Sequence, residues 1–302
     1  LRSVSSMVPA AGLVDVSRAV HAHLPPRCLD IILHAQHATA HVTCDEQVPR
    51  HELPQRLANL AADPEYYQIL QVCGRQLIRL PPAIALGAQD PSDSLKLSAP
   101  AIGNLLLSSC PGKKVRLDGP IQGRIGICRD LKRDLERFRD MGVRAMVCCL
   151  DDEELDMLGS PGAMYLEEVE AAGFDLIRLP IAEGFAPTDM IRFDIMMTSL
   201  ILNYTLRGSS ILVHCRGGVG RAGLLGCAWL LKMGLVGACS PETLDDSSQA
   251  LQLVLRVIDV VRHRRSPRAV ETAEQVHFLL EYVRYMQRQE YARRCLAQSH
   301  RS

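Results

Sequence analysis

Ile211-Leu-Val-His-Cys215-Arg-Gly-Gly-Val-Gly-Arg221-Ala-Gly223 is the stretch that decides how this chain reads. Ile211 to His214 is a short apolar run of strand character. Arg216, Gly217, Gly218, Val219 and Gly220 then supply three glycines and no carboxylate, and Arg221 opens an apolar helical run to about Met233. A strand that turns through glycines into a helix leaves several backbone N–H groups free to converge on one anion. The same amides and the helix N-terminus favour an anionic sulfur at Cys215. Arg221 offers a planar fork for two oxygens of a bound phosphate and matches the charge that builds up on them during transfer. The candidates are Cys215 as nucleophile, Arg221 as clamp, and Arg216 to Arg221 as a phosphate-binding loop.

A cysteine followed after five residues by an arginine is not enough, because the chain contains that spacing five times. Cys44/Arg50 places Asp45, Glu46 and Pro49 in the loop. Cys73/Arg79 runs into Leu80-Pro-Pro, so no helix follows. Cys110/Arg116 loses a donor to Pro111 and leads into Leu117-Asp-Gly-Pro. Cys295/Arg301 has no glycine. Cys215/Arg221 alone combines a strand before, a helix after, three glycines and no acid.

Gly218-Val-Gly220-Arg-Ala-Gly223 also matches the G-x-G-x-x-G dinucleotide fingerprint. Only 79 residues follow Gly223, and they read as mainly helical, too little for the rest of a nucleotide-binding unit. A Walker loop fails because Leu224-Leu225 stands where Lys-Ser/Thr is needed. An oxidoreductase built on this fingerprint is therefore the weakest of the readings, and no cofactor is expected.

Lys plus Arg and Asp plus Glu both number 34, so any anion site is local and a general nucleic-acid binder is disfavoured. The eleven cysteines are odd in number, follow no repeating framework, and several sit in apolar runs such as Met146-Val-Cys-Cys-Leu150. They read as reduced thiols of a cytoplasmic or nuclear protein. The most apolar long stretch, Gly223 to Cys239, is 17 residues with Lys232 inside it, a buried helix and not a membrane span.

Residues 1–97 show scattered prolines, six of the ten histidines and no clean period, and Gln89 to Ser98 reads as a linker. This predicts an extension over 1–97 and a second unit over 98–302. In the latter, Asp130 caps a helix that Gly142 ends, Arg144 to Leu150 is a strand, and Tyr165 to Ala172 is a helix. Leu176 to Ile181 is a strand, and Thr188 caps a helix to about Leu206. Ser240-Pro241 starts a helical region ending at Arg262 to Arg265, and Thr272 with Gln275 opens a last helix to about Tyr291. Short strands alternating with helices predict an α/β fold: a central, mostly parallel sheet flanked by helices on both faces, with the phosphate-binding loop between a strand and a helix.

Val213-His-Cys-Arg-Gly-Gly-Val-Gly-Arg221 closely resembles the signature of protein tyrosine and dual-specificity phosphatases, nearest to the cyclin-dependent-kinase-associated group. The resemblance extends through Leu131 to Leu150, Leu179-Pro-Ile-Ala-Glu-Gly184, Ser240-Pro-Glu242 and Glu271-Thr-Ala-Glu-Gln275, covering about residues 98–290. It implies a phosphocysteine intermediate formed by Cys215, and an acid on another loop that protonates the leaving oxygen and then activates water. The family has Asp where this chain has Glu183, so Glu183 is favoured as the acid, and Asp189 is the alternative. The family usually has Ser or Thr after the arginine, where Ala222 stands, which implies slow release of phosphate. The partner that the resemblance implies is a phosphorylated protein such as a cyclin-dependent kinase, with no nucleic acid and no membrane. Ala222 and Glu183 together also admit a low-turnover module that captures phosphoproteins.

Three other features have plain readings. His34, His37, His41 and Cys44 share one helical stripe but cannot wrap a metal tetrahedrally from one helix. Asp151-Asp-Glu-Glu154 reads as a solvated loop and helix start, and Arg262 to Arg268 as a solvated helix end or a docking patch for an acidic partner. His214 reads as shaping the loop through hydrogen bonds, not as moving protons.

Overall fold

The computed structural model describes residues 4–7, 103–120, 123, 125–236 and 247–299. Seven strands occur among them: β1 (Val4–Ser6), β2 (Leu105–Ser109), β3 (Lys114–Val115), β4 (Ile127–Cys128), β5 (Val143–Cys148), β6 (Asp175–Arg178) and β7 (Ser210–Cys215). The helices are α1 (Leu131–Asp140), α2 (Asp152–Met157), α3 (Gly162–Ala171), α4 (Met190–Asn203), α5 (Arg221–Lys232), α6 (Ser247–Arg264) and α7 (Ala273–Ser299). The main sheet runs β1-β2-β7-β5-β6, and β3-β4 form a separate hairpin. Strand β7 lies at the centre, parallel to both β2 and β5, and β6 is parallel to β5. Ile211 to Cys215 are all buried, as expected of a central parallel strand covered on both faces.

One helical layer consists of α4 to α7, gathered around α5, which packs on β2 and β7. The other consists of α1 to α3 against β5 and β6. Helix α5 is buried along nearly its whole length, with Trp229 donating to Thr205 Oγ1 at 3.1 Å. Buried Asp194 of α4 accepts from Lys232 at 2.5 Å and from Tyr282 at 2.8 Å, which ties α4, α5 and α7 together. The architecture is the α/β one that the strand and helix pattern predicts.

Local signals explain most boundaries. Asp130 accepts from Arg133 N at 2.9 Å and starts α1, and Gly142 ends it in a left-handed conformation (φ +73°). The cap of α4 is Asp189, not Thr188: its carboxylate accepts from Arg192 N at 3.0 Å. Helix α7 runs past Tyr291 to Ser299. Strand β2, which the sequence analysis does not assign, is buried over Leu105 to Ser108 and pairs parallel with β7.

Val4 to Ser6 pair antiparallel with β2 at the sheet edge, and Met7 is buried in the core. The division at residue 97/98 leaves these residues outside the unit with which they pair. The histidine stripe over 34–44, the Cys44 and Cys73 loops, Arg301 and Ser240-Pro241 lie outside the described residues.

Candidate active site

Strand β7 delivers Cys215 to the C-terminal edge of the sheet, and α5 begins six residues later at Arg221. In the intervening loop Gly218 has φ +71°, and a Cβ there would lie 2.4 Å from the carbonyl carbon and oxygen of Ser108. Only glycine fits both the angle and the close approach to β2. Arg265 donates from Nε to Gly218 O at 2.7 Å and from Nη2 to Gly217 O at 2.9 Å. In a trans peptide the N–H points opposite the carbonyl. Drawing the Gly217 carbonyl outward therefore turns Gly218 N–H inward, where it donates to Cys215 Sγ at 3.2 Å. Holding the Gly218 carbonyl does the same for Val219 N–H.

Arg262 to Arg264 are exposed where α6 ends, as a solvated helix end requires, but the Arg262 to Arg268 run also has defined contacts. Arg262 donates to Ala269 O at 3.0 Å, Arg265 frames the loop, and Arg268 lines the cleft in front of it. The composition of this run alone could not separate these tasks.

Arg221 is buried, and its guanidinium meets Glu154 in two contacts, Nη1–Oε2 at 2.5 Å and Nη2–Oε1 at 2.7 Å. Nη1 also donates to Ile181 O at 2.7 Å. Burial works against the charge on Arg221, but the hydrogen bonds of Glu154, then the Cys215 sulfur and the Glu154 charge, together outweigh it and raise its pKa above the ordinary value. Glu154 corrects the reading of Asp151 to Glu154 as a solvated group. Asp151 does cap α2, accepting from Glu154 N at 2.8 Å, and exposed Asp152 pairs with Arg178. Glu154 instead turns inward, and its role becomes visible only once β5 is known to lie beside β7.

Glu183 lies on the loop after β6 and lines the cleft. Its backbone surroundings are pinned: Arg221 holds Ile181 O, Thr272 Oγ1 donates to Gly184 O at 2.7 Å, and Gln275 Nε2 donates to Phe185 O at 3.3 Å. Its carboxylate accepts from Arg216 Nη1 at 3.0 Å in an exposed ion pair. Asp189 is occupied as the α4 cap and is not among the residues lining the cleft. Thr272 and Gln275 make the capping arrangement at the start of α7, and sequence reasoning assigned them no further task. Gln275, buried, also takes Glu271 N–H at 2.9 Å. A Cβ on Gly220 would lie 2.3 Å from Glu271 Oε2, so this second carboxylate rests on the loop itself.

His214 is fully buried, and its Nε2 lies 2.6 Å from Tyr165 Oη. Burial first, then the nearby cations Arg178, Arg129 and Arg221, bring its pKa down to about 3, which leaves it neutral at ordinary pH. The described cysteines are all free thiols. Burial pushes Cys110 up to about 12 and Cys148 up to about 11, and raises Cys149 as well. Cys215 differs from these three in taking a backbone N–H from a glycine loop.

The cleft has a volume of about 570 Å³ and opens in front of Cys215. Among the described residues no group of three or more His, Cys, Asp or Glu is placed to hold a metal ion, and no helix is long and apolar enough to cross a membrane.

Residues 124–279 match the family model described as "PTP-SAK: Swiss Army Knife protein, DSP-PTPase phosphatase domain". Human cyclin-dependent kinase inhibitor 3 is 26% identical over 183 residues, 60% of this chain and 71% of that protein. Among solved structures, a kinase associated phosphatase with its catalytic cysteine replaced by serine shares 25% identity. The match covers 59% of this chain and 85% of that one, with a TM-score of 0.45. Tk-PTP in its active form shares 25% identity over 59% of this chain and 90% of its own, with a TM-score of 0.40.

Proposed function

The chain belongs to the family of dual-specificity and tyrosine phosphatase domains, and on that premise we propose that it hydrolyses phosphoproteins through a phosphocysteine on Cys215. The observation that carries this reading is the Gly218 N–H donated to Cys215 Sγ at 3.2 Å, inside a loop whose carbonyls are held outward by Arg265. In the first step the Cys215 thiolate attacks phosphorus, the bond from phosphorus to the substrate oxygen breaks, and Glu183 gives that oxygen its proton. In the second, Glu183 takes a proton from water, the water oxygen bonds to phosphorus, and the P–S bond breaks to restore the thiolate. Arg221, held in plane by Glu154, carries two of the phosphoryl oxygens through both steps. Before donating, Glu183 parts from Arg216, an exposed pair worth at most about 1 kcal/mol.

Glu183 is the better candidate for the acid because it lines the cleft while Asp189 serves as a cap. We assign the phosphatase unit to residues 98–302 together with the Val4–Met7 edge. The resemblance to cyclin-dependent kinase inhibitor 3 makes a phosphorylated kinase a reasonable first substrate to try, in the cytoplasm or nucleus.

A second reading rests on Ala222, which is buried and brings no hydroxyl to the sulfur. In that reading the chain captures phosphoproteins and turns over little. Hydrolysis of an aryl phosphate without added metal, comparing wild type with Cys215→Ser, separates the two. Turnover lost in the variant with phosphopeptide binding retained supports the phosphatase. Absence of wild-type turnover with tight binding supports capture.

A further inference from the structure

Beside the cleft that holds Cys215 lies a second, smaller cavity of about 260 Å³. The two share a wall made by Val115, Glu183 and Arg216. The remaining apolar lining is Met157 and Leu158 at the end of α2, and Ala182 on the loop after β6. Leu158 is buried, whereas Met157 is 72% exposed. A lone exposed apolar side chain is ordinary. Met157 differs because it lines a concave apolar surface that adjoins the reaction site.

Four charged residues also line this cavity: Asp151, Glu154, Glu183 and Arg216. Glu154 meets Arg221 with both carboxylate oxygens, and Glu183 pairs with Arg216. Asp151 accepts from Glu154 N as the α2 cap and has no cationic partner among the described residues. The cavity therefore holds no unpaired cation to take an anion, and one unpaired carboxylate that repels one. Its walls are fixed before anything enters. Lys114 N donates to Leu158 O at 2.7 Å and joins β3 to the end of α2, and Arg221 Nη1 holds Ile181 O just ahead of Ala182. A cavity already formed loses little conformational freedom when it is filled.

We propose that this cavity is a specificity subsite for a bulky apolar side chain, such as leucine or phenylalanine, that flanks the phosphorylated residue of a protein substrate. The proposal deepens the phosphatase reading above and rests on it. An extended segment advances about 3.3 Å per residue, so a side chain one to three residues from the phosphorylated one reaches across the shared wall. Magnitudes choose the occupant. An exposed ion pair between an incoming cation and Asp151 is worth at most about fivefold in binding. Burying a leucine side chain is worth about tenfold or more. Met157, unbranched and adaptable, is suited to close over side chains of different shape.

The test uses matched phosphotyrosine and phosphothreonine peptides with alanine, leucine, phenylalanine, arginine or glutamate one, two or three residues to either side. With the wild-type full chain, leucine or phenylalanine at the best spacing raises kcat/KM about five- to tenfold over alanine, and glutamate lowers it below alanine. High salt leaves the leucine-to-alanine ratio in place, because no charge pair carries it. In Met157→Gln the ratio falls below about twofold, and Met157→Leu restores it. Ratios taken within one protein do not depend on how much of it is folded. A wild-type ratio near one at every spacing, or the same ratio in Met157→Gln, overturns the subsite. An arginine peptide that outruns leucine, with an advantage that salt abolishes, makes the cavity a site for a cation and overturns the apolar assignment. Faster hydrolysis of phospholipid vesicles than of every peptide overturns the assignment to protein segments. If the wild type hydrolyses neither peptides nor aryl phosphate, the phosphatase reading fails instead. Calorimetric binding of the same peptides to Cys215→Ser, with and without Met157→Gln, then decides the subsite alone through the same ratio.

Discussion

Arg221 and Glu154 meet fork to fork, Nη1–Oε2 at 2.5 Å and Nη2–Oε1 at 2.7 Å, across 67 residues of sequence. The pair sits at the rim of the core, with side-chain exposures of 3% and 13%. Its effect is to stop the guanidinium from rotating away from the loop. Glu154→Ala frees the fork and leaves a buried cation without its partner. The expected outcome is a fall of about 10- to 100-fold in kcat/KM for an aryl phosphate, with a lower melting temperature. Glu154→Gln keeps one acceptor and the side-chain shape, so it should fall between Ala and wild type. An alanine variant with wild-type kcat/KM removes Glu154 from the site.

Glu183 and Asp189 separate by readout. Glu183→Ala should slow release of phenolate from phenyl phosphate far more than release of an acidic phenol, because only the poor leaving group needs the proton. Asp189→Ala removes the α4 cap, worth about 1 kcal/mol, or about 2–4 °C in melting temperature for a unit of this size. It should leave the two leaving groups equally affected. If Asp189→Ala instead reproduces the leaving-group selectivity, the assignment of the acid reverses.

Ala222 bears on the second half of the cycle. Cys215 Sγ accepts from Gly218 N, and Ala222 adds no donor. In the proposed mechanism, departure of sulfur from the phosphocysteine is then expected to be the slow step. Stopped-flow traces of the wild type should show a burst of phenolate of about one equivalent, followed by slower turnover. Ala222→Ser should shrink the burst and raise kcat. Linear traces from the first turnover would place the slow step elsewhere.

Much of this site is legible in the sequence because its signals are local. Three glycines, a strand and a helix single out Cys215 from four other loops of the same spacing, and Asp130 and Gly142 bracket α1 by cap chemistry. What is not legible depends on neighbours distant in sequence. Glu154 looks like any first-turn carboxylate until β5 is set beside β7. Arg265 looks like a solvated residue until α6 ends over the loop. The Cys110 to Arg116 segment lacks the features of a phosphate loop, yet its Lys113 and Arg116 line the cleft in front of Cys215. Val4 to Ser6 carry no strand signal of their own, since an edge strand of three residues is defined by its partner.

That edge has a measurable weight. Deleting residues 1–7 removes the β1 pairing and buried Met7, which packs near Gly226 and Leu107, and exposes the rim of β2. Loss of one buried methionine costs about 2–5 kcal/mol. The shortened chain should melt several degrees lower and aggregate more readily through its open edge. An unchanged melting temperature would show that the edge strand is dispensable.

His214 makes the fold sensitive to acid in a defined window. Its imidazole titrates near 6.5 in an unfolded chain and at about 3 in the fold, chiefly because of burial. Between those values the unfolded chain takes up a proton that the folded one refuses, so stability falls as pH drops below about 6.5 and is unaffected above it. At pH 5 the cost is about 2 kcal/mol, or about 4–8 °C in melting temperature. His214→Asn removes the titration. It should melt lower than wild type at pH 7.5, because the contact with Tyr165 Oη is lost, yet lose fewer degrees between pH 7.5 and pH 5. Equal losses in the two proteins would mean that other groups carry the acid sensitivity. Tyr165→Phe supplies the complementary result: it strips the partner from Nε2 but leaves the imidazole buried, so stability drops by about 1–3 kcal/mol at pH 7.5 while the steep fall toward pH 5 remains.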